Sequence, residues 1–91
     1  YITMKFNKYV CEFLGTMFYL YVILVSGKPL AIATALFVTN LLIGPISGGH
    51  LNPATTIMMA NAGKIPMSDI LPYVLAQVSG GLTALELHRK L

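Results

Sequence analysis

Gly44-Pro45-Ile46-Ser47-Gly48-Gly49-His50-Leu51-Asn52-Pro53-Ala54 decides how this chain folds. The stretch is rich in Gly and Pro but carries no formal charge, whereas a loop in water is normally more polar. It runs into Ala54 to Ala62, which reads as a short helix. Asn52 at the N-cap, Pro53 at the first helical position and Gly63 just past the end match the asymmetry of helix termini. About ten residues at 1.5 Å each give roughly 15 Å, half the thickness of a bilayer. A half-length apolar helix behind an uncharged Gly-rich segment predicts a re-entrant element. Non-helical backbone lies at membrane depth only where protein packs around it or where it lines a water-filled cavity. The pattern points to a pore.

The flanking sequence supplies the membrane. Apolar stretches at 9–26, 30–43 and 69–87 predict three transmembrane helices, and 44–62 is the re-entrant loop and half-helix between the second and third. Ser26-Gly27-Lys28-Pro29 is a tight connector, and Ser68-Asp69 reads as the cap of the third span. The chain has 91 residues, of which 56% are apolar against roughly 45–50% in soluble domains, and only 10% are charged. Six Lys plus Arg, three Asp plus Glu and two His cannot cover a small soluble domain. The expected fold is therefore an all-α integral membrane protein, in contact with lipid. Soluble enzymes and disordered tails are excluded, and a net charge of +3 from scattered residues makes no nucleic-acid-binding stripe. A cleavable signal peptide does not fit the first stretch, which is too long, contains Glu12 and lacks a small-x-small site. Met4 reads as an initiator, leaving Lys5 to Lys8 as a short cytosolic lead. At the other end His88-Arg89-Lys90 reads as an interfacial anchor, with anionic-lipid binding as the sharper reading. Small residues recur every fourth position at Cys11 and Gly15, at Ala31, Ala35 and Thr39, and at Ala76, Gly80 and Ala84. That spacing lets helix backbones approach closely in lipid. Cys11 is thus a packing residue, and a single Cys forms no internal disulfide.

Few residues carry chemistry. Glu12 lies in an apolar span, where a carboxylate costs several kcal/mol unless paired or protonated. Two readings stand: a position at the cytosolic rim four residues beyond Lys8, or an inward turn to accept hydrogen bonds from the Gly-rich loop. His50 has no companion Cys, Asp or Glu at ligand spacing and reads as a structural donor, so no metal and no cofactor are expected. Gly48-Gly49 lacks the Lys-Ser/Thr of a phosphate loop, and no nucleophile–base pair is present, so no catalytic residue is assigned. Asn52 is the sharpest signal. Its side-chain oxygen caps the half-helix, which leaves its NH2 free to donate to whatever lies in front, where the helix dipole adds partial positive charge.

Ser47-Gly48-Gly49-His50-Leu51-Asn52-Pro53-Ala54 resembles the first signature loop of the aquaporin/glycerol-facilitator (major intrinsic protein) family. Glu12-Phe13-Leu14-Gly15-Thr16 resembles that family's first-helix motif, and Tyr73-Val74-Leu75-Ala76-Gln77-Val78-Ser79-Gly80-Gly81 its third helix. The resemblance covers about Lys8 to Leu87, with three motifs in the right order. It implies one aquaporin-like half-repeat and a passive channel for water or small neutral solutes such as glycerol. In that picture the backbone carbonyls of Gly48, Gly49, His50 and Leu51 line a single file, and Asn52, of the Asn52-Pro53-Ala54 motif, donates to the permeant. Glu12 and Gln77 hold the loop from behind. Ile32 falls at the second-helix selectivity position, which is commonly aromatic, and the aliphatic side chain leans away from strict water selectivity.

Family members usually carry two such repeats in inverted orientation. One half-helix covers half a bilayer, and the Arg that follows the second repeat's motif is here Thr55. With the amino end cytosolic, Lys5, Lys8 and Lys64 oppose Lys28, Arg89 and Lys90, three against three. The positive-inside rule needs an excess, and there is none. The expectation is dual topology, with an antiparallel homodimer, or a higher homo-oligomer, completing the pore. Two other readings fit the same residues: a subunit of a hetero-oligomeric channel or fragment of a longer chain, and a non-conducting membrane scaffold.

Overall fold

A computed structural model describes residues 2–91, with side chains from Lys8 onward. Tyr1 and the side chains of Met4 and Lys5, and with them the expected initiator and most of the cytosolic lead, lie outside the described residues. Four α-helices follow in order: α1 (Ile2–Val25), α2 (Pro29–Ser47), α3 (Pro53–Asn61) and α4 (Ile70–Lys90), with a 3₁₀ turn at Met67–Asp69 ahead of the last. Among the described residues three segments are long and apolar enough to cross a membrane: Lys8–Val25, Pro29–Ser47 and Met67–Lys90. α3, with nine residues, reaches only about 14 Å.

The second helix corrects the sequence reading. Gly44 to Ser47, expected as loop beyond a span ending at 43, continue α2, and Pro45 sits inside the helix. A proline near the end removes one N–H from the ladder but stops nothing by itself. The stop comes from Gly48 in the left-handed region (φ 91°), whose N–H closes on Gly44 O at 2.9 Å. The irregular segment is accordingly only Gly48 to Asn52. Ser68-Asp69 differs too: Asp69 stands at the N-cap position of α4 but makes no cap bond there. Its carboxylate instead takes Lys8 Nζ at 2.7 Å and the Tyr9 hydroxyl at 2.8 Å, which ties the start of α4 to the start of α1.

At the far end of the same helices the Tyr21 and His88 rings meet edge to face, so α1 and α4 run in the same direction. α2 returns antiparallel, with Gly15 facing Ile43 and Thr39. α1 is the common wall, packing against both long neighbours, and α3 lies against α4. Small residues set the closest approaches. A Cβ on Gly80 would stand 2.5 Å from Phe13 O and 3.1 Å from Met17 N, so the α1 backbone is in direct contact. Gly80 and Ala84 are buried, as are Ala35 and Thr39 on α2 and Gly15 on α1.

The interior is polar and the exterior apolar. Glu12, Thr16, Ser47, His50, Thr56 and Gln77 are buried, whereas Leu30, Phe37, Leu42 and Leu71 are each at least 66% exposed. A soluble protein inverted in this way would not fold. In hydrocarbon no hydrophobic force pulls helices together, and close backbone packing and interhelical hydrogen bonds replace it.

Candidate functional site

The site is a loop folded around one carboxylate. Gly48, Gly49 and Leu51 all adopt positive φ (91°, 60° and 58°), which turns the chain sharply between α2 and α3. Glycine is required twice over here. A Cβ on Gly48 would meet the His50 ring, and one on Gly49 would run into Asn40 Oδ1. The turn aims successive backbone amides at α1. His50 N–H donates to Glu12 Oε2 at 3.0 Å, and Leu51 N–H donates to Glu12 Oε1 at 2.9 Å. The Ser47 hydroxyl donates to Oε2 at 2.7 Å and Gln77 Nε2 to Oε1 at 3.1 Å. Glu12 is fully buried and accepts four bonds, two on each oxygen. Of its two sequence readings the structure takes the inward one, and Lys8 pairs with Asp69 instead.

The carbonyl directions follow from those amides. No peptide bond in the described chain is cis, and a trans peptide sets each carbonyl opposite the following N–H. The N–H groups of Gly49, His50 and Leu51 bond inward, to Ser47 Oγ and Glu12. The carbonyls of Gly48, Gly49 and His50 therefore point away from that buried side. The Leu51 carbonyl has no such constraint.

His50 is held, not free. Its Nδ1 lies 2.8 Å from Thr56 Oγ1, and its ring sits on Tyr73 with centroids 4.9 Å apart. Among the described residues no cluster of His, Cys, Asp and Glu could hold a metal ion. Gln77 Nε2 bridges Glu12 and Thr56, 2.9 Å from the latter, and so links the loop to the half-helix behind it. Asn52 caps α3 as its sequence suggests, Oδ1 accepting from Ala54 N–H at 2.8 Å. Asn52 and Ala54 are exposed and Pro53 is half-buried, so the half-helix presents its positive end at an open surface.

A cavity of about 470 Å³ lies in front of Asn52, bordered by Tyr19, Ile23, Leu36, His50 and Thr55 among others. Ile32 is not on that border. It stands one turn before Leu36 on α2, half-buried. Asn40 lies one turn after Leu36, its Oδ1 against Gly49 and its Nδ2 donating to Leu36 O at 3.0 Å.

Sequence reasoning gave no role to Ser47, Thr56, Tyr73 or Asn40. The Tyr73 hydroxyl donates to Ser47 O at 2.7 Å and fixes the end of α2. One signal was available: Tyr73, Gln77, Gly80 and Ala84 fall on one helical face, and all four are buried. Polar residues on the same face as packing glycines point to a polar interior.

The chain is similar to known proteins over nearly its whole length. The family description "Major intrinsic protein" matches residues 2–91. Aquaporin Z of Bradyrhizobium diazoefficiens is 36% identical over 92% of this chain and 41% of the relative. Aquaporin Z of Rhodopseudomonas palustris is 34% identical, over 89% and 40%. Glycerol uptake facilitator protein-like 6 of Lactiplantibacillus plantarum is 37% identical, over 86% and 40%. The chain thus spans about two-fifths of the length of these curated relatives. No solved structure gives a significant match.

Proposed function

The chain belongs to the major intrinsic protein family, an integral membrane family and not an enzyme family, and from that premise we propose that it forms half of a passive channel. The permeants are water and small neutral solutes, and a second copy in inverted orientation completes the pore. The exposed tip of α3 carries this reading: Asn52 Oδ1 is committed to Ala54 N–H, so its Nδ2 remains to donate outward. Beside it the carbonyls of Gly48, Gly49 and His50 offer acceptors in a row. A permeant exchanges hydration for these groups on one side while Ile23 and Leu36 offer nothing on the other. The helix end and the Asn52 amide hold a water's oxygen toward them, which breaks the hydrogen-bonded chain that protons need.

Two observations support an inverted partner. α3 reaches about half of the hydrocarbon thickness, so its tip needs a counterpart from the other face. The groove between α1 and α4 beside Pro53, about 460 Å³, is bordered by Thr16 and Gln77. Thr16 Oγ1 and Gln77 Oε1 are buried with no bonding partner among the described residues. Those two atoms are sealed within the chain; it is the open, largely apolar groove with Leu20, Leu82 and Leu85 along it that offers a face for a helix of the second copy. Labelling tags at both ends from one side of the membrane tests the arrangement: both orientations are expected, and one uniform orientation rejects the inverted homodimer.

Stopped-flow swelling of proteoliposomes tests the channel itself. Wild type is expected to raise water permeability above that of empty vesicles. Asn52→Asp keeps the cap acceptor but replaces the outward donor with a carboxylate, and permeability is expected to fall to about a tenth of wild type. A chain that inserts in full but leaves swelling at the empty-vesicle rate is a scaffold.

A further inference from the structure

The wall of the cavity before Asn52 holds two hydroxyl groups that the fold does not use. Tyr19 borders it from α1 and Thr55 from the first turn of α3, both half-buried. Neither hydroxyl bonds a protein group among the described residues. Thr16 and Thr39 share this but are sealed in the interior, whereas Tyr19 and Thr55 border a cavity. Other hydroxyls are satisfied within the fold. Thr34 and Thr83 fold back onto the carbonyls of Leu30 and Ser79, at 2.7 and 2.8 Å. The Tyr9 and Tyr73 hydroxyls donate to Asp69 and Ser47. Tyr19 lies well inside the Lys8–Val25 span, where no bulk water reaches from lipid. A hydroxyl left without a partner at that depth is costly, so its partner is whatever fills the cavity.

We propose that Tyr19 and Thr55 are specificity-determining residues: together with Asn52 Nδ2 they form a hydrogen-bonding station that favours a solute with two or more hydroxyl groups over a lone water. The inference rests on the channel reading above. Water satisfies one such group at a time and gains little from a second. A polyol engages several at once, and its carbon side lies against Ile23 and Leu36 on the same wall. Thr55 Oγ1 and Asn52 sit on the same short helix and move as one unit. Tyr19 approaches from a different helix, so the station also reads the spacing between α1 and α3.

The test uses the full chain in proteoliposomes, with glycerol uptake and water permeability measured side by side for wild type, Tyr19→Phe, Thr55→Val and the double variant. Each substitution removes a hydroxyl and keeps the shape, and matched circular-dichroism spectra verify folding. Glycerol flux is expected to drop about tenfold in the double variant while water permeability stays within about twofold. The single variants fall between, and Thr55→Ser retains glycerol flux. An unchanged glycerol-to-water ratio in the double variant overturns the proposal, as does a wild type that conducts water but excludes glycerol. Either result leaves the channel reading intact. A wild type that conducts neither solute ends both.

Discussion

Replacing Glu12 with Ala is expected to unfold the re-entrant loop and abolish transport while the three long helices remain. Four donors lose their acceptor at once: the Ser47 hydroxyl, His50 N–H, Leu51 N–H and Gln77 Nε2. All four residues are buried, so water does not replace the carboxylate without the site opening. A buried donor left unpaired costs about 1–3 kcal/mol, so with partial rearrangement the loss is roughly 4 kcal/mol or more. Leu51, the one non-glycine residue of the loop at positive φ (58°), carries a steric penalty that its bonded amide offsets, so losing the acceptor releases it from that conformation. Glu12→Gln separates charge from acceptor number. It presents an NH2 group to one of the two donor pairs, orphaning either His50 or Leu51 N–H, and an intermediate loss is expected. Amide hydrogen exchange checks both variants: His50 and Leu51 lose protection in Glu12→Ala, while α1, α2 and α4 keep theirs. Retained protection at those two amides would contradict the assignment of Glu12 as the loop's anchor.

The second large effect is expected at Gly80. Leu at this position drives its Cβ into Phe13 O and Met17 N, and backbone cannot rotate aside as a side chain can. Overpacking a core costs about 1–3 kcal/mol when side chains yield, and more when they do not. Here α4 must move off α1, which also pulls Gln77, one turn earlier, away from Glu12. Gly80→Leu is therefore expected to lower the melting midpoint in detergent and to cut water permeability together. Gly44→Ala is the matching control. A Cβ there meets nothing within 4 Å, and the residue is inside α2. It is expected to leave permeability unchanged and to raise stability by about 0.5–1 kcal/mol. If both substitutions shift the midpoint alike, close helix contact at Gly80 is not what holds α4 in place.

The half-helix was the most legible element, because its start and stop are written in single residues: Asn52, Pro53 and Gly63 each have one physical role. Glu12 was legible as an anomaly, a carboxylate in an apolar run, and the Gly-rich loop as a source of its donors. The choice between rim and interior, and the Ser47 hydroxyl as a further donor, depended on packing of segments far apart in sequence. The end of α2 was misread because Gly44-Pro45 looks like a stop. A proline in the last turn loses one bond only, and Gly48 sets the true end through its left-handed conformation. Asn40 and Tyr19 were invisible for another reason. Whether a residue on a lipid-spanning helix faces a cavity depends on the rotation of that helix against its neighbours, and the apolar pattern of α2 is nearly uniform around its axis.

The claim on which the rest depends is that the tip of α3 lies in an aqueous path at mid-membrane. Thiol labelling measures this directly, with Ala54→Cys and Phe37→Cys each in a Cys11→Ser chain reconstituted in vesicles. Ala54 is exposed beside Asn52, and Phe37, 66% exposed, lies midway along α2 on the side away from α1. A small, charged, membrane-impermeant thiol reagent is expected to modify Ala54→Cys and to leave Phe37→Cys unmodified. Equal reactivity at the two positions, fast or slow, would contradict it.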